Sequence, residues 1–252
     1  MYYSEGKLAV TTAIIDVSVD LSEYNEEVSS TKFYMVSNSS VVKTNGLLTE
    51  HGANHGGLCL GYFYTGAKRP SDFFILLTPD ESGKCSVDEL VTALSWCGEN
   101  GIQLISMSLG TRQHNDACKL FSVIESLSQK GVIILASASN DRKLTYPACF
   151  KNTIGICVDN TGNLPQATFS YQENIFDGIE LIVSRHTAMG AFIGSNSVAT
   201  AYFAGTLTHI LQKKVNVGEW LRRHSAHFPL GNTFSYCNDN IQYRYEDNDS
   251  VI

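Results

Sequence analysis

Short apolar runs alternate along this chain with longer stretches in which apolar positions recur every three or four residues. Ala13–Asp16, Phe73–Leu77, Leu104–Met107, Val132–Ser137, Thr153–Val158 and Glu180–Val183 are near-continuously apolar, as strands covered on both faces must be. Between the second and third of these, Ser86 and Glu89 have capping-box spacing. Leu90, Val91, Leu94 and Cys97 follow at helical spacing, and Asn100-Gly101 supplies a stop. A second helix is expected over about Ala117–Lys130, with Leu120, Val123, Ile124 and Leu127 on one face and Gly131 at its end. A third is expected over about Ser197–Ile210, small residues first, then Phe203, Leu207 and Ile210. Strands alternating with helices of this length predict an α/β, doubly wound, mostly parallel sheet with helices on both faces.

Composition narrows the class. The chain has 252 residues, 43% hydrophobic and 17% charged, enough apolar material for a large core and a length that fits one α/β domain over residues 1–252. From Phe228 onward the pattern fades. An acidic tail, about residues 238–252 with Glu246, Asp247 and Asp249, is expected to lie on the surface or fray. With 18 basic and 25 acidic residues the net charge is −7, so no positive field draws in nucleic acid or anionic lipid. No apolar run approaches the ~18 residues that span a bilayer. Met1–Val10 contains Glu5 and Lys7 and has no secretory pattern. The seven cysteines are odd in number and none is spaced as CxxC, which argues against a disulfide framework and a zinc site. A cytoplasmic chain with reduced, buried thiols is expected.

In doubly wound sheets, reactive groups gather beyond the carboxyl ends of the strands. Four segments there offer chemistry. Ala13-Ile14-Ile15-Asp16 ends in a carboxylate, a residue type that elsewhere simply starts a turn. Residues 50–61 carry His51 and His55, each followed by glycine, and lead into an apolar stretch. Gly131–Asn140 is a strand closing in small residues and one amide, able to turn the chain or to donate to an oxyanion. In Gly194–Gly205, Ser197 stands where a Gly- and Ser-rich turn enters a helix. Its hydroxyl there can cap the helix or act as a nucleophile in the positive field of the helix start.

Taken together these residues run in the order Asp, His, Asn, Ser, and the Asp…His…Ser order is that of subtilisin. The sequence resembles the subtilisin-like serine peptidases (subtilases). Ala-Ile-Ile-Asp16 is similar to the family's catalytic Asp strand, and His55-Gly-Gly-Leu-Cys-Leu-Gly61 to its His helix start. Ile105-Ser-Met-Ser-Leu-Gly110 is similar to its substrate-binding strand. Ala136-Ser-Ala-Ser-Asn140 is similar to its oxyanion segment, and Asn196-Ser197-Val-Ala-Thr to its nucleophile motif. Tyr146-Pro147-Ala148 and Thr153-Ile-Gly-Ile resemble the family's stretch after the oxyanion residue. The likeness covers about residues 9–212. Between the histidines, His55 is favoured as base, because a helix started from His51 would contain Gly56 and Gly57 together, a penalty of roughly 2 kcal/mol.

The resemblance implies a serine endopeptidase with Asp16, His55 and Ser197 as triad and Asn140 as oxyanion donor. Ser108, Leu109 and Gly110 would pair with substrate backbone, and Ala136, Ser137 and Ala138 would line the pocket before the scissile bond. It implies a peptide or protein substrate and no cofactor; structural calcium, a loop feature of the family, is left open, with no loop here indicating it. With no propeptide visible, an intracellular peptidase that removes leader or pro-peptides is expected. Ser18, Gly57, Ser139, Ser195 and Ala201 depart from the family pattern, and a positive φ at Ser195 would strain the chain. These departures leave a second reading open: a catalytically silent subtilase fold that binds a peptide or partner. Cys59, beside the His55 turn, is expected to be core.

Overall fold

The computed structural model describes residues 10–17, 19, 31–44, 54–67, 71–78, 84–141, 143–173 and 178–226. Ser18, His51 and the acidic tail fall outside them. The strands are β1 (Thr11–Asp16), β2 (Lys32–Ser37), β3 (Ser40–Thr44), β4 (Ser71–Leu76), β5 (Leu104–Met107), β6 (Ile133–Ser137), β7 (Ile154–Val158), β8 (Phe169–Tyr171) and β9 (Leu181–Val183). The helices are α1 (His55–Gly66), α2 (Val87–Glu99), α3 (His114–Gln129), α4 (Asn196–Leu211) and α5 (Val217–His224). One sheet holds all nine strands in the order β3-β2-β4-β1-β5-β6-β7-β9-β8, parallel except for the edge strands β3 and β8.

Strand side chains alternate between two apolar layers, which is why the inner strands read as unbroken apolar runs. Ile14, Phe74, Leu104, Leu135 and Ile156 join a layer with α1 and α4. Ala13, Ile15, Ile75, Ile105 and Ile134 join the opposite layer with α2 and α3. α2 carries the full capping box: Glu89 N–H donates to Ser86 Oγ at 3.1 Å, and Ser86 N–H to Glu89 Oε2 at 3.1 Å. Past the helix ends, Gly101 and Gly131 take φ of 68° and 78°, the left-handed turn that only glycine adopts without strain. α4 is different in kind: it is apolar on every side and buried along most of its length, as a helix enclosed by the fold must be.

α1 and α4 touch backbone to backbone. A Cβ on Gly205 would lie 2.1 Å from the Phe63 carbonyl oxygen, and one on Gly66 would lie 2.4 Å from that of Tyr202. Both glycines are therefore fixed by contact rather than by turn geometry.

β7 runs into Asp159, 2% exposed. Its carboxylate accepts the Thr161 N–H at 2.9 Å, the Thr161 hydroxyl at 2.6 Å and the Leu164 N–H at 2.7 Å. Burial pushes this acid up, but the hydrogen bonds outweigh it and hold the carboxyl below the ordinary carboxylate value. A depressed folded pKa stabilises the protein above the ordinary value and loses that contribution as pH falls through the folded one. Asp159→Ala, which orphans these donors, is expected to cost about 2–3 kcal/mol, read as a lower urea midpoint at pH 7. An unchanged midpoint would show that this turn contributes no stability.

Candidate active site

Outward from β1 lie β4, β2 and β3 on one side, which the chain visits first, and β5, β6 and β7 on the other, which it enters after β4. β1 is thus the topological switch point of the sheet, where such folds open a crevice. Asp16 ends β1 and is fully buried. Its Oδ1 accepts from His55 Nδ1 at 2.7 Å and from the Val17 N–H at 2.7 Å. His55 is the first residue of α1 and about one-third exposed. The Asp16 hydrogen bond raises its pKa above the ordinary histidine value, against a smaller opposing effect of burial. With Nδ1 committed to Asp16, Nε2 is the ring nitrogen left for chemistry.

The first turn of α1 is tightly packed at Gly57. A Cβ there would fall 2.0 Å from Asn54 Oδ1, so the side chain of Asn54, the residue before the helix, occupies the space that a larger residue 57 would need. The departure at Gly57 is a local exchange of volume between two neighbours.

α4 begins at Asn196, one residue before the expected start. Its cap is Ser195, whose Oγ accepts the Val198 N–H at 3.4 Å. Ser195 has φ −145°, extended backbone that any residue adopts, so the strain expected at a serine here does not arise. The capping role being filled by Ser195, the Ser197 hydroxyl is not the cap. Ser197 is 6% exposed, and its backbone N–H lies in the first turn, where amides have no partner within the helix. No hydrogen bond joins Ser197 Oγ to His55 among the described residues.

Asn140 follows β6 on an exposed turn. Its Oδ1 accepts the Asn196 N–H at 3.1 Å, which assigns the oxygen to that side and leaves the Nδ2 donors to the other. Asn196 itself ties three elements together. Its Nδ2 donates to the carbonyls of Ala138 and Ser139, each at 3.1 Å, and its Oδ1 accepts the Val158 N–H at 2.9 Å.

Ser108, Leu109 and Gly110 continue from β5 as half-buried chain outside the sheet ladder. Beyond them Thr111 and Tyr146 exchange two backbone hydrogen bonds of 2.8 Å. A Cβ on Gly110 would meet the Tyr146 carbonyl oxygen at 2.9 Å. On the other wall, Ala136 is fully buried within the α2–α3 layer, Ser137 is buried, and Ala138 is half-exposed.

Cys59 is fully buried one turn into α1. Burial, and then the charge of Asp16, push its thiol well above the ordinary thiol range. Its Sγ lies 3.5 Å from Ser108 Oγ, which in turn donates to the Ser197 carbonyl at 3.5 Å. Asp16, His55 and Cys59 present one possible metal-ligand atom each within 4.8 Å of one another. A cation held there would compete with the Asp16–His55 hydrogen bond. No helix among the described residues is long and apolar enough to cross a membrane.

A model of the Subtilase family matches residues 19–225. The chain belongs to the subtilase family. The matched span of this subtilase starts three residues after Asp16, so it is the hydrogen bond to His55 that ties that carboxylate to the site. The subtilase is 24% identical to Subtilisin amylosacchariticus of Bacillus subtilis subsp. amylosacchariticus over 245 aligned residues, covering 90% of this chain and 62% of that protein. It thus spans less than two thirds of that relative's length. Among solved structures, the S41 psychrophilic protease superposes with TM-score 0.63 at 18% identity, covering 86% of this chain and 84% of the other. The nisin leader peptidase NisP of Lactococcus lactis does so with TM-score 0.61 at 16% identity, covering 85% and 81%. These likenesses establish the subtilisin-like α/β fold of this subtilase.

Proposed function

We propose that the chain is a serine endopeptidase acting through Asp16, His55 and Ser197. The observation that carries this reading is the 2.7 Å bond from His55 Nδ1 to the buried carboxylate of Asp16. It fixes the imidazole tautomer, so that Nε2 accepts the Ser197 proton as Oγ attacks the scissile carbonyl. The imidazolium so formed is stabilised by Asp16 and later protonates the leaving amine. The Asn140 Nδ2 and the Ser197 N–H receive the oxyanion. Water then attacks the acyl-enzyme by the reverse proton path. Ser108, Leu109 and Gly110 would pair with substrate backbone as an added strand, and Ser137 and Ala138 would line the pocket preceding the scissile bond; Ala136, fully buried in the α2–α3 layer, would support them from behind.

The finer reading is a processing peptidase that removes a leader or pro-peptide. The fold shared with the nisin leader peptidase supports it. The buried free thiols of Cys59 and Cys97 support a reducing compartment. The missing Ser197–His55 hydrogen bond favours the alternative, a silent fold that binds peptide, although such bonds often tighten only with substrate bound.

Intact mass after treatment with a fluorophosphonate separates the two without knowledge of the substrate. One adduct on the parent, lost in Ser197→Ala, is expected. No adduct on folded parent protein would decide for the silent fold.

A further inference from the structure

Residues 138–141 are held by the Ala138 N–H donating to the Ile156 carbonyl at 2.8 Å, by the Ser139 N–H donating to Thr145 Oγ1 at 3.2 Å, and by two further groups. On the α4 side, Asn196 holds the carbonyls of Ala138 and Ser139 through Nδ2 and the Asn140 Oδ1 through its N–H. From the opposite wall comes Arg112, two residues beyond Gly110. Its Nη2 donates to Ser139 Oγ at 3.1 Å and to Asp141 Oδ2 at 2.6 Å. The Ser139 hydroxyl in turn donates to Asp141 Oδ1. One guanidinium nitrogen therefore holds the residues on both sides of Asn140. The base of this arm is itself pinned, by the paired Thr111 and Tyr146 and by the Gln113 N–H donating to Thr111 Oγ1 at 3.1 Å.

We propose that Arg112 is a positioning residue that, through Ser139 and Asp141, aims the Asn140 side-chain amide at the oxyanion. This role rests on the peptidase reading. An oxyanion donor acts only where its N–H meets the charge as it develops, and a displacement of about 1 Å can cost on the order of 10²-fold in rate. Asn140 lies on an exposed turn, so its aim depends on what holds its neighbours. The clamp also explains the departure at Ser139: a glycine has no hydroxyl to accept from Arg112 or to donate to Asp141. A second effect works in the same direction. Asp141 places a carboxylate one residue from the oxyanion donor, where negative charge would oppose catalysis. Arg112, together with Lys143 Nζ 3.8 Å from Asp141 Oδ2, offsets it.

The test is a double-mutant cycle on the whole chain with Arg112→Ala, Asn140→Ala and the pair, using a quenched peptide that the parent hydrolyses. Arg112→Ala is expected to lower kcat by about 10-fold with KM changed less than about twofold, since it removes aim rather than binding. In the Asn140→Ala background the same change should lower kcat by less than about twofold. Arg112→Lys, able to reach one acceptor, should recover part of the loss. Ser139→Gly removes one anchor outside the core and is expected to reproduce the kcat loss in part, which keeps the test intact if Arg112→Ala folds poorly. Losses that multiply in the double variant, a change confined to KM, or parent-like kcat in both Arg112→Ala and Ser139→Gly would each overturn the role. Any of those outcomes on a parent that takes the phosphonate leaves the peptidase reading standing. A parent that takes none removes both.

Discussion

Hydrolysis by His55→Ala is expected to fall about 10⁶-fold below the parent, the scale on which a triad loses its base. The loss should be accompanied by disappearance of a pH dependence. In the parent, kcat/KM should rise with pH through a single ionisation above the ordinary histidine value of about 6.5. The direction is set by the structure: Asp16 stabilises the imidazolium and so raises its pKa, and the base must be neutral to accept a proton. A profile flat from pH 5 to 9, or a comparable loss in His51→Ala with His55→Ala active, would remove His55 from the mechanism.

Asp16→Asn is expected to lower kcat about 10⁴-fold, with KM little changed. The fully buried Asp16 uses one oxygen for two donors, His55 Nδ1 and the Val17 N–H. An asparagine can satisfy Val17 with its oxygen, but it lacks the charge that favours the imidazolium and can turn N–H toward the ring. The residual activity should therefore ionise at lower pH than the parent's. A loss under about tenfold, or an unshifted ionisation, would show that Asp16 does not act on His55.

How much of this was legible in the chain differs by element. The inner strands announced themselves, because a strand buried on both faces has no polar positions to blur it. The cap of α2 was readable because both of its partners lie three residues apart. β2 and β3 were not anticipated. Their exposure is mixed, and they turn on Asn38 and Ser39, both at positive φ, a hairpin turn without the glycine that usually marks it. β8 is too short to show a period, and α5 has one fully buried residue, Leu221. In the site, the residue types and their order were visible, since chemistry restricts them to few kinds. Which hydroxyl caps α4 was not, because Ser195 and Ser197 both suit a helix start. The contacts of Arg112 and Asn196 were invisible for a further reason. Their partners stand 27 to 58 residues away, and no local pattern encodes a contact made by folding.

The enclosure of α4 also has a meaning in time. Amides on an element buried on all sides exchange with solvent only when the whole fold opens, whereas those on an exposed turn exchange through small local fluctuations. Ser197 lies on the enclosed segment and Asn140 on an exposed turn. The residues proposed as nucleophile and oxyanion donor are thus expected to differ in how locally their backbones open.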